Sequence, residues 1–439
     1  MRLKRHLGAI TVSAGLALSA LVSSGCASSP LVKVADKPDF PALAKGIDAE
    51  KRAGRLSKGD VRDIAEAVAK GEVRRAKGPE GERILVSFGS CANELEGALD
   101  DRYDKGDDMG ALAANVMMSS GVVGIGKYVR FARDNDPRGA FRALGARGLV
   151  SDGDFALRRK LFVDLDERVR VNALKAAMTA PSKDDLELLI EAGRVDPHPD
   201  ARAAAVRAIG RVGGERAVEA LKDIWIRADA TLRDAIVDGF MAPRSYEAGG
   251  REQLVKAAES GQSGSIQAAI ALSHVSIDEA VDRSAHDIAM GVLLRTIKIG
   301  TRADRTLAML SSPSDAEVMK ALREAKDDTD AGIALIALGR LAREGKDEAE
   351  KKAAREGLLK IAKGKDSEAP RAMGELASLG DRRAVPLLEK ALSSKSAFER
   401  GYAARNLVVL GELTKAAKVL ADSDVYARAS TACAVIHER

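Results

Sequence analysis

The segment RAIGRVGGERAVEAL at residues 207–221 returns as GELASLGDRRAVPLL at residues 374–388, with Gly213 over Gly380, Ala217 over Ala384, Val218 over Val385 and Leu221 over Leu388. Internal repetition constrains a fold more than any single motif, because a short recurring unit cannot bury its own apolar face and must stack on its neighbours. The same first-helix pattern returns as ERVRVNALKAA (167–177), GIALIALGRLA (332–342), ERGYAARNLVVLG (399–411) and YARASTACAVI (426–436). Asp136, Asp166 and Asp196 stand 30 residues apart, each ahead of an Ala-rich stretch. Later starts near Asp229, Asp328, Asp366, Ser396 and Asp424 keep a similar spacing, which blurs across 260–328.

A unit of that length holds two helices and a turn. In the clearest one, Asp196-Pro197 opens a turn, and Ala201 to Val212 makes a first helix with Ala205, Val206, Ile209 and Val212 inward. Gly213-Gly214 stops it, and a second helix carries Ala217, Val218, Leu221 and Trp225 inward. Composition agrees: 46% of the chain is hydrophobic but only 3% aromatic, so the core is made of Ala, Leu, Val and Ile rather than the alternating β-branched and aromatic residues of strands. Charged residues of both signs make up 31%, as on the solvated faces of amphipathic helices.

These units resemble HEAT repeats of the short kind named after phycobilisome lyases: an Asp, a Val/Ala-Arg pair, an Ala-rich helix ending near Gly, then Arg-Ala-Val and a Leu-rich second helix. The resemblance covers about 300 residues, most strongly 136–228 and 366–436. It implies an all-α fold, an α-solenoid of about ten two-helix repeats occupying residues 107–439. Stacked in a line at about 10 Å per helix pair, these would form a rod or arc on the order of 100 Å long. In that arrangement the second helices line a concave face that receives an extended partner, expected to be a protein. Residues 41–106 lack the signature but carry a capping box at Ser57-x-x-Asp60 and an apolar stripe of Ile84, Phe88, Cys91, Leu95 and Leu99, and so read as an N-terminal helical cap over the first repeat.

The chain begins MRLKRHLGAITVSAGLALSALVSSG, with a basic start, an apolar run from Leu7 to about Val22 and then small residues, the layout of a secretory signal peptide over 1–25. Ser23-Ser24-Gly25-Cys26 resembles the lipobox of bacterial lipoproteins, which implies lipid attachment at Cys26, although Ser23 stands where that family carries an aliphatic residue. Gly25-Cys26-Ala27 also satisfies the small-x-small rule of an ordinary signal peptide cut after Ala27, and an uncleaved anchor is a third reading. The lipoprotein reading is preferred, since a Cys just after the apolar run is otherwise unexplained. By resemblance to Gram-negative lipoproteins, Ala27 implies sorting to the outer membrane, facing the periplasm. Residues 26–40, with two prolines and no helical period, read as a tether.

Other chemistry is sparse. Gly121-Val-Val-Gly-Ile-Gly126-Lys127 meets the spacing of a phosphate-binding loop, but Tyr128 replaces the Mg²⁺-binding hydroxyl and no strand precedes it, so a glycine-rich turn is expected. The acidic stretch Asp100–Asp108 lacks the ligand order of a calcium loop and reads as a helix end and the start of the next helix. His198, His274, His286 and His437 make no close pair, so no metal site is expected. Cys91 and Cys433 would lie near opposite ends of an extended solenoid and are expected to be separate buried thiols. No catalytic or cofactor-binding constellation is readable.

The repeat family raises two enzymatic alternatives, bilin attachment and the HEAT-type nucleic-acid enzymes. The first belongs to cytoplasmic members, against the export signal. The second needs a basic groove with aromatic residues. Once Arg2, Lys4 and Arg5 leave with the signal peptide, 67 basic residues remain against 65 acidic ones, and Trp225 is the sole tryptophan, so no nucleic-acid partner is expected. The sequence thus points to a non-catalytic, membrane-anchored binding scaffold, without indicating which residues touch the partner.

Overall fold

The computed structural model describes residues 30–277 and 280–438, so the leader and Cys26 lie outside the described part. Among the described residues the secondary structure is entirely helical. Asp166, Asp229, Asp330 and Asp424 each accept a hydrogen bond from a backbone N–H in the first turn of the helix that follows, respectively Glu167–Thr179, Ala230–Met241, Ala331–Glu344 and Val425–His437. Ser396 does the same for Ala397–Val409, and Ser57 and Asp60 form the reciprocal capping box at the head of Lys58–Arg75. Each such cap satisfies an otherwise orphaned donor and is worth about 1 kcal/mol. Gly213, at φ +74°, ends Pro199–Val212 in a backbone conformation that other residues adopt only with strain.

A ladder of arginines ties each unit to the next. Arg142 donates to the Asp136 carbonyl and forms a bidentate pair with Asp164; Arg170 donates to the Asp164 carbonyl and pairs with Asp196. Arg202 reaches the Asp196 carbonyl and, more loosely at 3.9 Å, Asp229; Arg400 bridges the Ser394 carbonyl and Asp422. The rungs reveal the true register. Asp136, Asp164 and Asp196 are the equivalent residues, each accepting the backbone N–H two positions on. The units are therefore 28 and 32 residues long, and Asp166, which completes an even spacing of 30, is instead the helix cap two positions later.

The rungs also set an acid sensitivity. The backbone N–H of Asp330 and the Arg305 guanidinium hold the Asp328 carboxyl below its ordinary range. At Asp422 burial pushes upward, but the hydrogen bonds from Arg400 and the Asp424 N–H outweigh it. A carboxyl lowered in the folded state contributes stability that is complete above about pH 4 and is lost as pH falls through the lowered value. Denaturant unfolding is accordingly expected to show a falling midpoint below about pH 4 and a flat one between about pH 5 and 7. A midpoint indifferent to acid would contradict the ladder's role.

Across residues 139–241 the two helices of each unit form two layers of unequal tightness. Gly139–Arg147, Glu167–Thr179, Pro199–Val212 and Ala230–Met241 pack side by side in succession, whereas the partner helices Phe155–Leu161 and Leu186–Val195 barely meet. Small residues permit the close approach: a Cβ on Gly210 would stand 2.3 Å from the Gly239 carbonyl oxygen on the next helix. Gly210→Ala is therefore expected to lower stability by about 1–3 kcal/mol, read as a shift of the thermal midpoint, while Gly291→Ala, uncrowded inside the helix Ala280–Ile299, is expected to raise it by up to about 1 kcal/mol.

The row of units closes on itself. The final helix, Val425–His437, packs against Lys58–Arg75, Gly78–Ser87 and the turn Gly89–Cys91, and the Phe40–Arg52 helix packs against the turn Ala417–Ala421. Arg428, the ladder arginine of the Val425–His437 helix, donates to the Asp422 carbonyl and pairs at 3.0 Å with the buried Glu72 of the N-terminal segment, which takes the place of a next unit's aspartate. Its guanidinium lies 3.7 Å over the Phe40 ring. Cys91 and Cys433 are joined by a disulfide, their Cα atoms 5.6 Å apart.

The extended rod and the separate thiols expected from sequence are thus both overturned, and the N-terminal segment is a keystone touching both ends of the array rather than a cap on one. The putting together of tether and helix also shifts: Pro30–Asp36 is helical, with Leu31 and Ala35 buried, so only residues before Pro30 remain for a tether.

Candidate functional site: the inner wall

In a closed ring the inner layer has the shorter circumference, so its helices must crowd while the outer ones splay. Across residues 139–241 the crowded series is Gly139–Arg147, Glu167–Thr179, Pro199–Val212 and Ala230–Met241, which places the first helices of these units on the inner wall, opposite to the expectation that the second helices line it. The side chains these helices leave uncovered follow helical spacing: Arg168, Asn172, Lys175 and Thr179 on one, and Asp200, Arg207 and Arg211 on the next. Between them lies a concave pocket of about 570 Å³ lined also by Arg147, Met178, Ala203 and Ala204.

The ladder register places Arg147, Lys175 and Arg207 at matching positions, each eleven residues after its ladder residue Asp136, Asp164 or Asp196. Burial pushes the Arg147 guanidinium and the Lys175 ammonium down from their ordinary values, and at Lys175 the neighbouring Arg147 and Arg207 add to the effect while Asp200 opposes it. Lys175 is exposed to water by surface area yet hemmed in by the curved wall, so both descriptions hold: its ammonium is reachable but incompletely hydrated. Arg207 shares its charge with Asp238 at 2.8 Å.

The features singled out in the sequence lie elsewhere. Gly121 to Lys127 forms a turn after the helix Asp108–Ser119, with Lys127 3.7 Å from Asp100. Tyr128 is buried beside Tyr103 and Phe131, and burial raises its hydroxyl to about 12, so this residue is packing rather than a ligand. In the acidic stretch, Asp107 caps Asp108–Ser119 and pairs with Arg102, and Asp108 reaches Arg168. Among the described residues no group of His, Cys, Asp and Glu is placed to hold a metal ion, and no helix is long and apolar enough to cross a membrane. His274 bonds the Ser311 carbonyl at 2.8 Å, far in the chain from His198. Ile224 is buried where Trp225 was expected, and Trp225 is only half-buried. Sequence reading found none of the inner-wall cations, although the register of Arg147, Lys175 and Arg207 relative to the ladder aspartates was a usable signal once the units are taken as 28 and 32 long.

Two family models match parts of the chain. Residues 155–240 match the family model for HEAT repeats, and residues 371–394 match that for the PBS lyase HEAT-like repeat. Among solved structures, the Escherichia coli protein YibA aligns at 14% identity over 62% of this chain and 95% of its own, with a TM-score of 0.32. An engineered protein aligns at 19% identity over 72% of this chain and 98% of its own, with a TM-score of 0.28. No curated protein matches the chain significantly.

Proposed function

We propose that this HEAT-like repeat protein is a non-catalytic scaffold that binds another protein along its inner wall and is held at a bacterial cell envelope through a lipid on Cys26. The observation that carries the reading is the wall itself: over residues 139–241 a layer of side-by-side helices leaves a row of polar side chains uncovered, the kind of solvent-exposed surface through which repeat arrays act. The Cys91–Cys433 bond supports export, because disulfides persist in oxidising compartments and are rare in the cytosol. Acyl chains on Cys26 would supply about 0.8 kcal/mol per buried CH₂, and more than one chain is needed for firm anchoring. In a Gram-negative cell, Ala27 favours the outer membrane, with the ring on its periplasmic side.

Two measurements test this. Cys26→Ser is expected to move the protein from the membrane to the soluble fraction with an unchanged thermal midpoint; a variant that stays lipid-labelled would remove the anchor. Crosslinking in intact envelopes, followed by capture of the full chain, is expected to recover the same protein reproducibly. Turnover of a small substrate by the purified chain would defeat the scaffold reading.

A further inference from the structure

The inner wall carries a patch whose positive charge is only partly answered from within the molecule. Arg147, Lys175 and Arg207 stand at one level on three adjacent helices, and Arg211 lies one turn further along the last of them. Against these four cations the pocket lining offers one carboxylate, Asp200, and Asp238 on the next helix answers Arg207 at 2.8 Å. Among the described residues, Arg147, Lys175 and Arg211 take part in no ion pair, whereas arginines elsewhere in the same helices do: Arg142 with Asp164, Arg170 with Asp196 and Arg202 with Asp229. Three like charges at neighbouring positions repel one another and are costly to crowd on a partly dehydrated wall. A bound anion would relieve that repulsion.

The floor of the pocket says which anion. Met178, Ala203 and Ala204 line it, and no aromatic ring does, so it offers apolar contact without a platform on which a nucleobase could stack. Adjacent helices lie about 10 Å apart, so the row of three cations spans about 20 Å, far more than a single small anion covers. We propose that Arg147, Lys175, Arg207 and Arg211 form a binding site on the inner wall for an acidic polypeptide segment, whose carboxylates meet the row while its apolar side chains rest on Met178 and the alanines. The proposal rests on the scaffold reading above and names the chemistry of the partner segment.

The test uses the full chain and a fluorescein-labelled peptide of alternating glutamate and leucine, followed by anisotropy. One triple variant, Arg147→Gln, Lys175→Gln and Arg211→Gln, removes the unpaired charges and leaves the Arg207–Asp238 pair intact. A control, Lys160→Gln, Lys256→Gln and Lys298→Gln, removes the same charge from exposed positions outside the pocket. The inner variant is expected to weaken binding by about tenfold or more, the control by less than about twofold, and wild-type binding to weaken with added salt. Equal losses in the two variants, or binding insensitive to salt, would overturn the site. So would tighter binding of single-stranded oligothymidine than of the peptide. Envelope crosslinking separates this from the parent reading: a partner captured equally by wild type and inner variant sinks the site and keeps the scaffold, whereas no reproducible partner with wild type sinks the scaffold.

Discussion

Replacing Cys433 with alanine is expected to lower the unfolding free energy by about 4–5 kcal/mol, among the largest effects available to a single substitution in this chain. The bond joins residues 342 positions apart, so in the unfolded chain it closes a loop of most of the described protein, and the constraint on the unfolded state grows with loop length. Both cysteines are buried in the contact between Val425–His437 and the N-terminal segment, so the linkage spans the seam of the ring and not the interior of one unit.

Cys91→Ala and Cys433→Ala should have the same effect as each other and as reduction of the wild type, because each removes the same cross-link. Chemical denaturation with and without reductant measures it, and a shift in mobility on non-reducing gels reports the bond directly. The seam keeps other contacts, including Arg428 with Glu72, so the cross-link-free variant should remain a ring with an unchanged scattering profile. Adding Glu72→Ala should then open it and increase the maximum dimension. A stability that ignores reductant would remove the disulfide from the account of ring closure.

Arg158→Ala is expected to cost about 3–5 kcal/mol. Arg158 and Asp185 have fully buried side chains and form an ion pair, and Arg158 also donates to the carbonyls of Leu149 and Ala180 at 3.3 and 2.9 Å. Removing the guanidinium leaves the buried Asp185 carboxylate with Arg159 alone, at 3.2 Å, and leaves carbonyls without their donor, and these groups cannot recover water without opening the contact between two units. Burial already pushes the Arg158 guanidinium below its ordinary value despite the opposing pull of Asp185, a sign of how costly the site is for a lone charge. The double change Arg158→Leu with Asp185→Leu should cost much less than the sum of the single changes, because it removes both charges together. A double-mutant cycle measures the coupling, and additive single effects would mean that the pair contributes packing alone.

The two cases separate what was visible in the residues from what was not. The helices, their caps and the stacking of units were legible: Ser57 and Asp60 form the capping box that their spacing implies, and Ala217, Val218 and Leu221 are buried as the repeat pattern requires. The ladder was half legible. Asp136 and Asp196 belong to it, but the even spacing led to Asp166, a cap, and past Asp164, because two acidic residues two positions apart serve different bonds in the same turn. Closure was not legible, because nothing in the local pattern around Arg428 or in the spacing of Cys91 and Cys433 ties the final helix to the N-terminal segment.

Helix period, caps and the need of each hairpin for neighbours are local properties, written in residues within one unit, and the chain alone settled them as an all-helical array of HEAT-like repeats. Whether that array runs straight or bends round to meet its own beginning depends on a small rotation at every interface, summed over the whole row, and no single unit carries the sum. Only the folded chain brings Glu72 beneath Arg428, Cys91 to Cys433, and Arg147, Lys175 and Arg207 onto one wall.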